Sequence, residues 1–129
     1  EKLGSENSRL VLLDQLGELN GYYAKARLAF VGGSFNPRFG WQNIIEPASY
    51  GLPVVFGRHM NNFEEEACLL IESGGGIQIN NPQELYVVLN QLLADQEERQ
   101  RLGKKAWETV VKNRGAVNKT IELITRLAN

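Results

Sequence analysis

The stretch that most constrains this chain runs from Leu28 to Gly57, LAFVGGSFNPRFGWQNIIEPASYGLPVVFG. It opens and closes on apolar triplets, Ala29-Phe30-Val31 and Val54-Val55-Phe56, short enough for strands buried on both faces. Between them lie Gly32, Gly33 and Gly40, then a short helical pattern carrying Ile44, Ile45 and Ala48. Gly51 is placed as the stop of that helix, and Pro53 prevents its continuation. Strand, glycine loop, helix and strand in that order predict a βαβ unit with parallel strands. A glycine loop lets a ligand approach the backbone closely. A helix that begins there offers unpaired N–H groups to an anion.

The flanking sequence repeats the alternation. Leu10-Val11-Leu12-Leu13 reads as a preceding strand, followed by a helix with Leu19, Tyr22, Tyr23 and Ala26 on one face and an end near Arg27. After Gly57, a loop through Arg58, His59 and Asn62 leads to a helix with Phe63, Ala67, Leu70 and Ile71 on one face. Gly76–Ile79 reads as a fourth strand. Asn81-Pro82 opens the next helix, with Asn81 as cap and Glu84 able to reach back. Its apolar stripe is Leu85, Val88, Leu89, Leu92 and Leu93. Asp95 with Glu98 opens another helix, carrying Leu102, Ala106, Trp107 and Val110. A break is expected at Asn113-Arg114-Gly115, before a last amphipathic helix with Val117, Ile121, Ile124 and Ala128.

Four strands alternating with helices predict an α/β, Rossmann-like parallel sheet with helices on both faces. Residues 1–129 read as one domain with a helical tail from about 95 to 129. A doubly wound sheet usually has more strands, so the sequence reads as entering such a domain after its start. An exposed sheet edge, or a partner covering it, is expected. Ligands of such sheets bind beyond the carboxyl ends of the strands. The loops after Leu13, Val31 and Phe56 are all expected there.

Composition narrows the classes of function. The chain is 43% hydrophobic and 22% charged, as an ordinary globular protein is. Its net charge of -1 argues against a generic nucleic-acid binder. Residues 95–129 carry a local excess of basic side chains, read as a solvated helix face. Cys68 is the only cysteine, which leaves no internal disulfide and no cysteine metal cluster; it is read as a small core residue. No signal peptide is visible, and no apolar run reaches the ~20 residues of a spanning helix. The residues before Ser8 read as a chain already under way.

Asn43 and Glu46 admit two readings. A carboxylate at a helix start beside a glycine loop can accept both hydroxyls of a ribose, while neighbouring amides take a phosphate. Equally, Asn43 can cap the helix with Glu46 completing a capping box, or the helix starts at Glu46 with Pro47 in its first position. The glycines match neither the dinucleotide fingerprint nor a P-loop. His59 is the only histidine and no second metal ligand is evident. Trp41 can stack on a ring or pack the loop down. Arg38 can pair with a phosphate or carboxylate. Trp107 reads as a core or inter-domain anchor. Glu64-Glu65-Glu66 read as the acidic first turn of a helix.

Taken in order, Val31-Gly32-Gly33-Ser34-Phe35, Gly40, Gln42-Asn43, Glu46-Pro47-Ala48, Gly51-x-Pro53-Val54, Phe56-Gly57 and Asn62-Phe63 resemble the C-terminal domain of the bacterial 3-deoxy-D-manno-octulosonic acid (Kdo) transferases. Val11-Leu12-Leu13-Asp14-x-x-Gly17-Glu18-Leu19 resembles the same family upstream. The similarity covers roughly residues 10–75.

The resemblance implies the C-terminal half of a GT-B fold, two doubly wound domains facing a cleft. It implies the donor-nucleotide-binding part of an enzyme, a glycosyltransferase moving Kdo from CMP-Kdo to a lipid A precursor in lipopolysaccharide biosynthesis. Alternatives are a GT-B donor domain using a UDP-sugar, or a non-catalytic interaction domain. By analogy Glu46 would hold the CMP ribose. Asn43 and the helix-start amides, with the Gly32-Gly33-Ser34 loop, would face phosphate and sugar. Gly40 and Gln42 belong to the same donor site, and Gly17-Glu18-Leu19 would lie along the cytosine. Arg38, Arg58 and Asn62 are weaker candidates. The catalytic carboxylate and the acceptor site would come from the family's N-terminal domain, so no catalytic residue is assigned here and the isolated chain is expected to be inactive. No metal or cofactor is expected, and no nucleic-acid partner. The implied location is the cytoplasmic face of the inner membrane, with membrane contact only through the parent protein. The family commonly has Gly-Gly-His-Asn where this chain has Gly40-Trp41-Gln42-Asn43, and proline where it has Arg58. Those departures bear on sugar contact.

Overall fold

The computed structural model describes residues 10–40 and 42–128. The expectations for the first residues and for Trp41 lie outside the described residues. Three strands form one parallel sheet: β1 (Ala29–Val31), β2 (Val54–Phe56) and β3 (Gly76–Gln78), in that spatial order. Phe30 pairs in register with Val55, and Val55 with Ile77. Around them run α1 (Leu19–Tyr23), α2 (Ile45–Ser49), α3 (Glu64–Ser73), α4 (Pro82–Ala94) and α5 (Gln96–Ala128). A 3-10 turn, Gly32–Phe35, follows β1 directly.

The central strand organises the core. Successive side chains of a strand point to opposite faces. Val54 and Phe56 therefore join Ile44, Ala48, Leu70 and Ala106 on one side. Val55 joins Ile79, Leu92 and Leu102 on the other. Helices thus cover both faces, as the alternating pattern required. Two glycines bring α5 close: a Cβ on Gly103 would run into the Gly51 carbonyl, and one on Gly75 into the Ala106 backbone. Gly51 and Gly75 stand just before β2 and β3, so α5 crosses beneath the amino ends of the strands. The opposite, carboxyl edge carries the loops of interest.

Several expectations are corrected. Leu10–Leu13 is not a strand. Leu10 is 84% exposed, and a four-residue apolar run becomes a strand only where a neighbouring strand takes its backbone hydrogen bonds. Among the described residues β1 pairs with β2 alone, which leaves the open sheet edge that was expected. The first helix ends at Tyr23 rather than near Arg27. No break occurs at Asn113-Arg114-Gly115: α5 runs through it. A lone glycine costs a helix only about 1 kcal/mol, and no proline or cap follows to end it. Cys68 is exposed on α3 rather than buried, and Trp107, 49% exposed, does not fit the core alternative of its two readings.

The helix starts fared better. The Asn81 side chain accepts the Glu84 amide at 2.8 Å, and Pro82 takes the first position of α4. Glu84 reaches back one residue further than a standard capping box, to the Asn80 amide at 2.7 Å. Asp95 accepts the Glu98 amide at 3.0 Å and opens α5.

Candidate functional site

The loop after β1 and the loop after β2 are joined by one buried side chain. Ser34 is fully buried. Its hydroxyl donates to the Val31 carbonyl and accepts the Gly57 amide at 2.5 Å. Its carbonyl accepts the His59 amide at 2.9 Å. Asn61 adds a bond to the Pro37 carbonyl at 3.1 Å. The Ser34 hydroxyl is thus occupied inside the protein.

Close packing accounts for two of the glycines. A Cβ on Gly40 would collide with the His59 backbone, so that glycine lets the loop after β1 meet the loop after β2. A Cβ on Gly33 would lie 2.7 Å from the Phe39 carbonyl oxygen, so that glycine lets the loop after β1 fold against itself. Gly32 differs: it is exposed, and a Cβ there would meet only the Phe30 ring in ordinary contact.

Asn43 also has a structural task. Its Oδ1 accepts the Ile45 amide at 2.8 Å and the Glu46 amide at 3.3 Å. Two helix-start amides that the sequence offered to a phosphate are thus already paired. Asn43 caps the start of α2, and Glu46 lies in the first turn of that helix.

Glu46 is half-buried. It faces a cavity of about 330 Å³ lined also by Leu13, Gln15, Leu16, Gly17, Leu19 and Asn20. The fold thereby brings together Gly17, Leu19 and Glu46, three residues picked from sequence far apart in the chain. The turn that does this needs Gly17, whose φ of 90° lies in the left-handed region open to glycine. The Tyr23 and Tyr50 rings, 5.8 Å apart, hold α1 against the end of α2. Burial, and then the Glu46 carboxylate, push the Tyr23 hydroxyl above its ordinary pKa.

The remaining candidates spread around this centre. Glu18 lines a neighbouring cavity with Gly21, Tyr22 and Lys25. Gln42 is exposed, with its side chain beside Gly33. Arg58 is turned away to the segment after β3, where its Nε donates to Asn80 Oδ1 at 2.5 Å. Arg38 is exposed, and its amide is held by Asn36 Oδ1 at 2.9 Å. Asn62 adopts a φ of 51°, a left-handed turn that asparagine tolerates better than most residues. Sequence reasoning missed Leu13, Gln15, Leu16 and Asn20. The one signal for them was Leu16, a large apolar residue in an otherwise polar turn. Among the described residues no cluster of His, Cys, Asp or Glu is arranged to hold a metal ion, and no helix is long and apolar enough to cross a membrane.

No protein-family model matches the chain. Curated relatives do. The chain is 36% identical over 124 residues to the 3-deoxy-D-manno-octulosonic acid transferase of Haemophilus influenzae, covering 95% of this chain and 29% of that protein. It is 36% identical over 115 residues to the enzyme of the same name from Bordetella pertussis, covering 89% and 27%. The chain thus spans less than a third of the length of these relatives. Among solved structures it is similar to the C-terminal CMP-Kdo binding domain of WaaA from Acinetobacter baumannii. The TM-score is 0.69 at 30% identity, over 76% of this chain and 51% of that one. In sequence this chain is a relative of the 3-deoxy-D-manno-octulosonic acid transferases, and in fold it is similar to the C-terminal domain of WaaA.

Proposed function

We propose that this chain is the donor-nucleotide-binding part of a glycosyltransferase that moves Kdo from CMP-Kdo to a lipid A precursor in lipopolysaccharide biosynthesis. The observation that carries the proposal is the cavity between Glu46 and the Gln15–Asn20 turn. A half-buried carboxylate on the wall of a cavity can accept the two hydroxyls of a ribose, and charged acceptors make the stronger hydrogen bonds. Gly17 and Leu19 supply the surface along which the cytosine lies. The exposed Gly32 backbone and the Gln42 amide face the phosphate and sugar. Gly33, Ser34, Gly40 and Asn43 serve the site by fixing the loops and the start of α2.

The chain's contribution to the reaction is to position the donor and stabilise the departing CMP. The acceptor and the catalytic carboxylate belong to the part of the parent enzyme outside this chain, at the cytoplasmic face of the inner membrane. CMP-Kdo is a substrate here, and the proposal invokes no metal or cofactor.

Calorimetric titration with CMP, UMP and UDP tests the reading. CMP is expected to bind best. Glu46→Ala is expected to weaken CMP by at least about tenfold, the loss of charge-assisted hydrogen bonds, with the urea midpoint nearly unchanged. Retained CMP affinity with reduced stability would make Glu46 a helix-start residue only. Preference for UDP would point to a different donor.

A further inference from the structure

The cavity beside Glu46 has a composition that the ribose contact does not explain. Three leucines line it, and they are poorly covered. Leu16 is fully exposed, Leu19 is 44% exposed and Leu13 is half-buried. Two neutral amides, Gln15 and Asn20, stand in the same wall. Both residues are exposed. Apolar walls with a few polar groups at defined points are what a planar heterocycle requires, since its faces are apolar and its edge is not. An amide carries both a donor and an acceptor, so it can pair with adjacent donor and acceptor atoms on the edge of a nucleobase. Asn20 is the better placed of the two. It lies within α1, which meets the end of α2 through the Tyr23–Tyr50 contact, whereas Gln15 lies in the turn before the helix.

We propose that Asn20 is the base-reading residue of the donor site: its side-chain amide hydrogen-bonds the edge of the pyrimidine while Leu16 and Leu19 cover the ring faces. The inference rests on the nucleotide-binding reading above and extends it from the ribose to the base. For cytosine, the amide NH2 donates to N3 and the amide oxygen accepts from the exocyclic amine. The contact is to the base alone, so its loss leaves the ribose and phosphate contacts standing.

The test follows amide chemical shifts while the 129-residue chain is titrated with CMP and, separately, with ribose 5-phosphate. The unsubstituted chain is expected to bind CMP at least about tenfold more tightly than ribose 5-phosphate, an effect of the size that two hydrogen bonds give. Asn20→Leu is expected to remove about that tenfold and to leave ribose 5-phosphate binding within about twofold. Glu46→Ala is expected to weaken both ligands. Asn20→Asp keeps the side chain's shape and loses both N–H donors, so it should also weaken CMP selectively. It serves as the second variant should leucine disturb α1. CMP affinity unchanged in both Asn20 variants overturns the proposal. Equal binding of CMP and ribose 5-phosphate by the unsubstituted chain overturns it while sparing the ribose site. Binding of neither ligand overturns the nucleotide reading itself, and the base contact with it.

Discussion

Helix α5 places one secondary structure in two environments. From Gln96 to Val110 it is sunk into the domain: Leu102, Ala106 and Val110 are buried at four-residue spacing, and Gly103 abuts the backbone at Gly51. From Arg114 onward every side chain with a described burial is exposed, including Ile121, Leu123, Ile124 and Leu127. The sequence is apolar at helical spacing in both halves. Helical periodicity therefore dictates a helix and an apolar stripe, but not what the stripe meets. The packed half is distinguished by small residues, Gly103 and Ala106, which let backbone approach backbone. The bare half has no such contact at its own glycine: a Cβ on Gly115 would have open space around it.

Substitutions can break or sharpen that contrast. The largest effect is expected at the glycine contact. Gly103→Val places a branched side chain against the Gly51 carbonyl and should cost about 3 kcal/mol in urea unfolding. A tolerated valine there would mean that α5 does not cross beneath the strands as described. The next test makes one change at two sites. Leu102 is 5% exposed and Leu123 is 61% exposed. Leu102→Ala should therefore cost about 3 kcal/mol. Leu123→Ala should change stability by less than about 0.5 kcal/mol. Equal costs would show that the second half is packed as well. The smallest effect has the opposite sign. Gly115→Ala should stabilise by roughly 0.5–1 kcal/mol, since alanine is the better helix former and meets nothing. Destabilisation would indicate that the helix breaks where the sequence first suggested.

Sequence reading succeeded where the cause is local. The Asn81-Pro82 and Asp95 starts depend only on residues within one turn. It failed where the cause is distant. Leu10–Leu13 has a strand's composition but no strand beside it. Cys68 fits an apolar face of α3 that nothing covers at that point. In the site, Glu46 stood out because a carboxylate at a helix start is conspicuous by itself. Ser34, Gly33 and Gly40 stood out as small residues in one loop, and such a loop looks the same in sequence whether the space they leave is taken by a ligand or by protein. Here a Cβ on Gly33 would meet Phe39 and one on Gly40 would meet His59. Asn20 escaped notice because its place in one cavity wall with Glu46 depends on the left-handed turn at Gly17 and on how α1 meets α2.

The crossing of α5 beneath the strands has a mechanical consequence. At about 1.5 Å per residue, the part of the helix beyond Val110 extends about 27 Å. Its direction is set by contacts of its first half, the backbone meeting at Gly51 and Gly103 chief among them. The helix is thus a lever gripped along its first half and, among the described residues, uncovered along its second. A tilt of about 10° at the fulcrum would carry the far end roughly 5 Å, given that length. A displacement too small to uncover Leu102 or Val110 would still be large wherever the far end makes contact.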